Sequence, residues 1–181
     1  MITIDELRKL GGLAKYNGTG VVKLHVGGSQ IYRFYSDMAV TVTEGIHEHR
    51  CNFTSTVLKG VLKNHIYDVS GQDPDSTLQI VRSECKPNAE KIIEVPNATI
   101  AEQCNFTTLA GQSYYLAYNT LHHIERVTPK VITVMKKEPN IQEAARIVMD
   151  ASITDYVCPI SVKKSEKECW EIIEYTLNDN D

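Results

Sequence analysis

The stretch Ile46-His47-Glu48-His49-Arg50-Cys51-Asn52-Phe53-Thr54-Ser55-Thr56-Val57-Leu58-Lys59-Gly60 decides how the chain is read. It places two histidines two residues apart at the head of a run with β-strand character. Strand side chains alternate between faces, so His47 and His49 share one face, about 7 Å apart along the chain. Neutral imidazole is the commonest transition-metal ligand. Two imidazoles on one face make half of a metal site, and a third ligand has to come from elsewhere. With six histidines in 181 residues, the pair alone is compatible with coincidence, and its surroundings have to give it weight.

Working outward, residues from about 20 to 137 are a succession of short strand-like runs. Val21–Val26, Ile31–Tyr35, Met38–Thr43, Thr54–Leu58, Val61–Val69, Leu78–Cys85, Lys91–Val95, Ser113–Tyr118, Leu121–Val127 and Lys130–Lys136 are rich in β-branched and aromatic residues. Gly27-Gly28, Lys59-Gly60 and Gly71-Gln72-Asp73-Pro74-Asp75 punctuate them as turns and loops. Short strands at this spacing predict an antiparallel sandwich or barrel, not a parallel α/β sheet.

Both ends of the chain read as helix. Thr3-Ile4-Asp5-Glu6 has capping-box spacing, with Ile4, Leu7 and Leu10 as an apolar stripe that Gly11-Gly12 ends. After Pro139, Asn140-Ile141-Gln142-Glu143 resembles a cap, and Ile141, Ala144, Ala145 and Val148 share one helical face. Ser165-Glu166-Lys167-Glu168 is a further capping box, followed by Trp170, Ile173 and Leu177 on a stripe. The expected organisation is an N-terminal helix and linker over 1–19, a β domain over 20–138, and a helical extension over 139–181 that packs on the β domain.

Composition sets bounds on function. A hydrophobic fraction of 42% and a charged fraction of 23% are those of a soluble globular protein. Net charge is −4 without a basic tract, which argues against a nucleic-acid partner. No apolar run approaches the ~18 residues of a membrane span. Five scattered cysteines and a start without a basic, apolar leader predict a cytoplasmic protein with reduced thiols.

The second informative stretch is Gly111-Gln112-Ser113-Tyr114-Tyr115-Leu116-Ala117-Tyr118-Asn119-Thr120-Leu121-His122. With it the chain resembles a cupin over roughly residues 20–137. The first cupin motif is His-x-His, three or four residues, Glu, six residues, Gly; here His47 and His49 are followed after three residues by Phe53, and six more lead to Gly60. The second motif is Gly, five residues, Pro-x-Gly, two residues, His; here Gly111 leads to Ala117, Asn119 and His122 at those intervals. Asn119 in the glycine position suggests a left-handed turn residue, a conformation that Asn tolerates. The resemblance implies a mostly β, jelly-roll-type antiparallel barrel with helices at both ends, and His122 as the third metal ligand. Homodimerisation is an expectation carried over from it.

Where the motif's Glu ligand would stand, this chain has Phe53, which cannot bind a metal. The remaining set, His47, His49 and His122, is similar to the three-histidine cupins, of which the cysteine-dioxygenase-like enzymes are best known. The Ser-x-His-x-Tyr run of those enzymes falls near Ile132–Lys136 and has no counterpart here. His123 adjoins His122 and faces the other way on a strand; it is the alternative ligand if the register slips by one. Glu125 shares the face of His123, and Glu48 points away from His47 and His49. His25 and His65 have no motif support.

A neutral three-imidazole set suits a divalent first-row metal with open coordination positions. Fe(II) fits oxygen chemistry, and Zn, Ni or Mn fit Lewis-acid work. Phe53 and Val57 lie on the histidine face and should keep the site dry. Arg33, Tyr35, Arg50 and Tyr118 lie near the motifs as candidates to orient an anionic substrate. The expected function is a non-haem Fe(II) dioxygenase acting on a small organic acid or thiol. Two alternatives stay open: a non-catalytic cupin that binds a small ligand or a protein partner, and a Zn, Ni or Mn isomerase or lyase.

Overall fold

The computed structural model describes residues 2–36, 45–84, 90–153 and 162–178. In chain order the elements are α1 (Ile4–Lys9), β1 (Leu13–Asn17), β2 (Val21–His25), β3 (Gln30–Tyr35), β4 (Phe53–Lys59), β5 (Val61–Gln72), β6 (Leu78–Ser83), β7 (Lys91–Val95), β8 (Ala98–Leu109), β9 (Ser113–Leu116), β10 (Leu121–Arg126), β11 (Val131–Lys137), β12 (Ala145–Asp150) and α2 (Glu166–Leu177). The strand expected over Met38–Thr43 lies outside the described residues.

One sheet has the order β1-β2-β3-β11-β4-β9, and two three-stranded sheets have the orders β10-β5-β8 and β12-β6-β7. Every pairing between the named strands is antiparallel. Residues directly opposite in an antiparallel pair share a face, so the register sorts the six-stranded sheet into two faces. On the inner face, Val21, Tyr35, Val57 and Val131 pack against Leu62 of β5 and Ile124 of β10. Phe53, Tyr114, Leu116 and Met135 of the same face meet Ile66 of β5 and Phe106 of β8. On the outer face, Val22, Leu24, Phe34 and Ile132 are covered by Leu7 of α1 and by Cys169, Ile172 and Ile173 of α2. The architecture is therefore two β layers with both helices on one outer side. Among the described residues the sheets do not close into the expected barrel: β1 and β9 remain the ends of the larger one.

Both helices start where sequence places them, because Thr3 with Glu6 and Ser165 with Glu168 form reciprocal capping boxes. α2 has no basic residue in its last turn. Lysines from the sheet take that role: Lys59 Nζ donates to the carbonyls of Thr176 and Leu177, both at 3.0 Å, and Lys130 Nζ to that of Asn178 at 3.1 Å.

The helix expected after Pro139 is not formed. Residues Ala145–Asp150 are strand β12, paired with β6 from Ala145 opposite Ser83 to Asp150 opposite Leu78. Ala145, Ile147 and Met149 are buried and the residues between them half-buried, a period of two. The apolar positions fit both periods, and strand pairing with β6, favoured by β-branched Ile147 and Val148, wins over local helix propensity. Sequence also misses β1 and β8. In β8 the central residues are exposed and polar, because β8 is the last strand of its sheet.

Two glycines matter for the site. Gly60 has φ +77, and a Cβ there would collide with the Lys130 carbonyl and the Thr128 hydroxyl; only glycine turns β4 into β5 at this point. Gly111 (φ +87) donates its N–H to the Val57 carbonyl at 2.8 Å and ties the second motif to β4.

Candidate metal centre

The segment Ile46–Glu48 runs as a single extended link between the two smaller sheets. His47 and His122 exchange both backbone hydrogen bonds, each 3.0 Å, while Glu48 N–H donates to the Arg146 carbonyl at 2.9 Å and Val148 N–H to that of Ile46 at 2.9 Å. β12, this link, β10, β5 and β8 are thus hydrogen-bonded in series. His47 and His122 are directly opposite one another, which puts their side chains on one face.

His49 lies past the link, in backbone that is not regular strand. It is fixed from both sides: its N–H donates to the Tyr118 carbonyl (3.2 Å) and its carbonyl accepts from Gln142 Nε2 (2.9 Å). Asn52 clamps the same two loops, accepting the Tyr118 N–H at its Oδ1 (3.0 Å) and donating from Nδ2 to Glu138 (2.8 Å). Asn52, Gln142 and the Arg146 described below are site residues that motif spacing does not reveal. Asn52 and Gln142 are polar loop residues of a kind common to any loop, and Arg146 lies on a strand remote from both motifs in sequence.

The three rings converge. Centroids are 5.0 Å apart for His47 and His49, 4.9 Å for His47 and His122, and 4.9 Å for His49 and His122. One ring nitrogen from each lies within 4.8 Å of the others. His49 Nε2 and His122 Nε2 are 2.8 Å apart. Two imidazole nitrogens each about 2.0–2.1 Å from one ion and at right angles about it are about 2.9 Å apart, so this pair has the separation of neighbouring ligands in an octahedral shell. His47 Nδ1 donates to the Gly45 carbonyl at 2.9 Å, which orients the ring and reserves Nε2 as its metal-facing nitrogen. His122 Nδ1 is buried without a hydrogen bond among the described residues.

Electrostatics favour the neutral form of His49 and His122. Burial pushes the His49 imidazolium well below its usual range, and His47, His122, Arg33 and Lys23 push it further. Burial likewise depresses His122, aided by His47, Arg33 and His123. An imidazole that resists protonation keeps its lone pair for a metal. Among the described residues no carboxylate offsets these positive neighbours. Glu48 is buried on the other side of the link, where Arg146 Nε donates to its Oε1 at 2.8 Å and the Arg146 Nη2 and backbone N–H also bind it.

Phe53 is fully buried and meets His49 edge-on at 4.6 Å, where the motif would carry a carboxylate. His123 is on the opposite face from His122, 6.1 Å from His65, whose ring nitrogens bind Glu102 and Glu125 at 3.0 Å each. The structure thus joins His122, not His123, to the pair. Arg33 is buried on the inner face with its guanidinium 5.9 Å from the Tyr35 ring. Tyr118 takes part through its backbone. Arg50 takes part through its carbonyl, which accepts from Ile141 at 2.8 Å. The Ala117–Thr120 turn closes through the Thr120 N–H on the Ala117 carbonyl at 3.1 Å. Asn97 is the one non-glycine residue of positive φ among the described residues, so Asn119 does not adopt the left-handed conformation expected of it; a turn of this kind is built with negative φ at both centres.

No helix among the described residues is long and apolar enough to cross a membrane. No family model matches the chain, and no curated protein matches it in sequence. Among solved structures, the chain is similar to the crystal structure of the hydroquinone 1,2-dioxygenase PnpCD in complex with Cd2+ and 4-hydroxybenzonitrile. That likeness has a TM-score of 0.34 and 12% identity, over 63% of this chain and 62% of that one, less than two thirds of its length. What the site itself establishes is a mostly β protein in which His47, His49 and His122 converge as a group placed to hold a metal ion.

Proposed function

We propose that the chain is a metal-dependent enzyme of dioxygenase type, with His47, His49 and His122 holding one Fe(II) and a small anionic organic molecule as substrate. The convergence of three imidazoles, with Phe53 in place of a fourth ligand, carries this reading. Bound there, Fe(II) supplies redox chemistry toward O2, where Zn, Ni or Mn would supply Lewis acidity.

The chain's own residues set the conditions. Phe53 covers one side of His49. Gly45 orients the His47 ring. Gln142 and the Tyr118 carbonyl hold His49 in place. The absence of a ligand carboxylate leaves the site positive when a divalent ion is bound, and Arg33 adds to that charge from the inner face, which favours an anion.

The test is metal analysis of the protein purified without an affinity tag, followed by O2 consumption after Fe(II) loading against a panel of small organic acids. About one first-row metal per chain and substrate-dependent O2 uptake support the reading. A metal-bearing protein with no uptake would make it a binding module, and a protein with no affinity for divalent metals would refute the centre itself.

A further inference from the structure

β10 has two faces, and the metal centre uses one of them. His122 points inward to it, so His123 and Glu125 point outward. On the outer face, His123 lies directly opposite His65 of β5, with ring centroids 6.1 Å apart. Glu125 Oε2 is 3.0 Å from His65 Nε2. At the other side of that ring, Nδ1 donates to Glu102 Oε2 of β8 at 3.0 Å, and Asn105 Nδ2 donates to Glu102 Oε1 at 2.7 Å. His65 is the most covered of the three ionisable partners, with 14% of its side chain exposed against 37% for Glu102 and 52% for Glu125.

Surface ion pairs contribute little to stability, but this group has an order that ion pairing does not need. Asn105 fixes Glu102, Glu102 fixes the His65 ring through Nδ1, and Nε2 is left facing Glu125. A carboxylate on the far nitrogen is the usual outer support of a metal-binding histidine. Two donors about 2.0–2.2 Å from a zinc ion, at about 90–110° to one another, are about 2.9–3.5 Å apart, and His65 Nε2 and Glu125 Oε2 have that separation. Residues directly opposite in an antiparallel pair have Cβ atoms about 4.5–5.5 Å apart, which lets two rings reach one ion. Among the described residues, His47, His49 and His122 are the one set of three donors already converged. The outer set closes when the half-buried His123 ring turns toward Glu125, whose carboxylate already feels it.

We infer that His65, His123 and Glu125 form a second, exchangeable site for a divalent cation of the Zn(II) type, with Glu102 supporting His65 from behind. Two imidazoles and one carboxylate select Zn, Ni or Cu over Mg or Ca, which take oxygen donors. On binding, the ion takes the place of the His65 Nε2 proton, which leaves to solvent. Lys63 Nζ, 4.0 Å from Glu125 Oε2, competes for the carboxylate, and Glu125 is open to water. The site therefore fills from free metal and empties on dialysis. It stands on the outer face alone and does not depend on the inner centre.

The experiment loads the whole chain with Zn(II), dialyses it, and titrates Zn(II) back by calorimetry while NMR follows the imidazole nitrogens. Uptake of about one further Zn(II) per chain is expected, with the His65 and His123 resonances shifted and those of His47, His49 and His122 unchanged. Glu125→Gln and His123→Gln, both at the surface, should each remove this uptake, and Glu102→Gln should weaken it by about tenfold. His122→Ala, which empties the inner centre, should leave it intact. If His122→Ala does not fold, the wild-type resonances and the two surface variants decide. No further uptake, uptake that survives Glu125→Gln or His123→Gln, uptake lost in a folded His122→Ala, or shifts confined to other histidines overturns the outer site and leaves an ion-pair cluster.

Discussion

Arg146 closes on Glu48 with its guanidinium and its own backbone N–H, and the carboxylate it holds lies between His47 and His49 in sequence and behind them in space. The Glu48 side chain is 1% exposed and that of Arg146 is 28%. Such a pair contributes little by existing, because desolvation offsets attraction, but removing one partner strands a buried charge. Arg146→Met should therefore destabilise the protein by about 3 kcal/mol. Because the link that Glu48 anchors carries His47 and leads directly into His49, metal affinity should fall by about 10- to 100-fold. Urea unfolding and competitive metal titration measure the two effects.

The register of the second motif gives a sharper contrast. His122→Ala should remove most of the bound metal, and so should His47→Ala and His49→Ala. His123→Ala should leave metal stoichiometry near the wild-type value, because that ring faces His65. Elemental analysis of the four variants after dialysis settles it; metal retained by His122→Ala and lost by His123→Ala would overturn the assignment.

His65, Glu102 and Glu125 form a separate, pH-dependent device on the outer face of β10-β5-β8. Hydrogen bonds donated by the His65 ring to Glu125 and then to Glu102 raise the His65 pKa. In turn, hydrogen bonds from Asn105 and His65 lower Glu102, and that from His65 lowers Glu125. A raised histidine stabilises the fold in full below its unfolded value, near 6.5, and the effect is lost as pH rises through the folded value. The lowered carboxylates stabilise it in full above about 4.5 and lose that effect as pH falls. The stability difference between wild type and His65→Gln should thus peak between these two values and shrink toward pH 8.5, as followed by denaturation midpoints across pH.

The C-terminal helix depends on cations it does not own. Lys59→Met should leave the carbonyls of Thr176 and Leu177 without their donor and cost about 1–2 kcal/mol. Hydrogen exchange should rise in the last turn of α2 before it rises in the sheets.

Much of the core was legible because it is periodic. The β-branched and aromatic runs Ser113–Tyr118, Leu121–Val127 and Lys130–Lys136 marked strands that exist, at Ser113–Leu116, Leu121–Arg126 and Val131–Lys137. Motif spacing put His122 at the right distance from Gly111. The region after Pro139 misled because Ala144, Ala145 and Val148 satisfy a helical stripe, while the deciding fact, a partner strand at Leu78–Ser83, is remote in sequence. β8 was invisible because half of its residues face solvent. The carboxylate–guanidinium pair of Glu48 and Arg146 could not be read, because ninety-eight positions separate its members.

The link Ile46–Glu48 both carries the His47 donor and sews β10 to β12. An ion gripped by His47, His49 and His122 would therefore act as a rivet through a seam, and occupancy and mechanical continuity become one linked equilibrium. Chelation would be felt beyond the centre: β12, β6 and β7 lose a fastening to the rest of their layer, although none of their residues supplies a donor. A protein built this way can report its metal status through the looseness of a distant sheet.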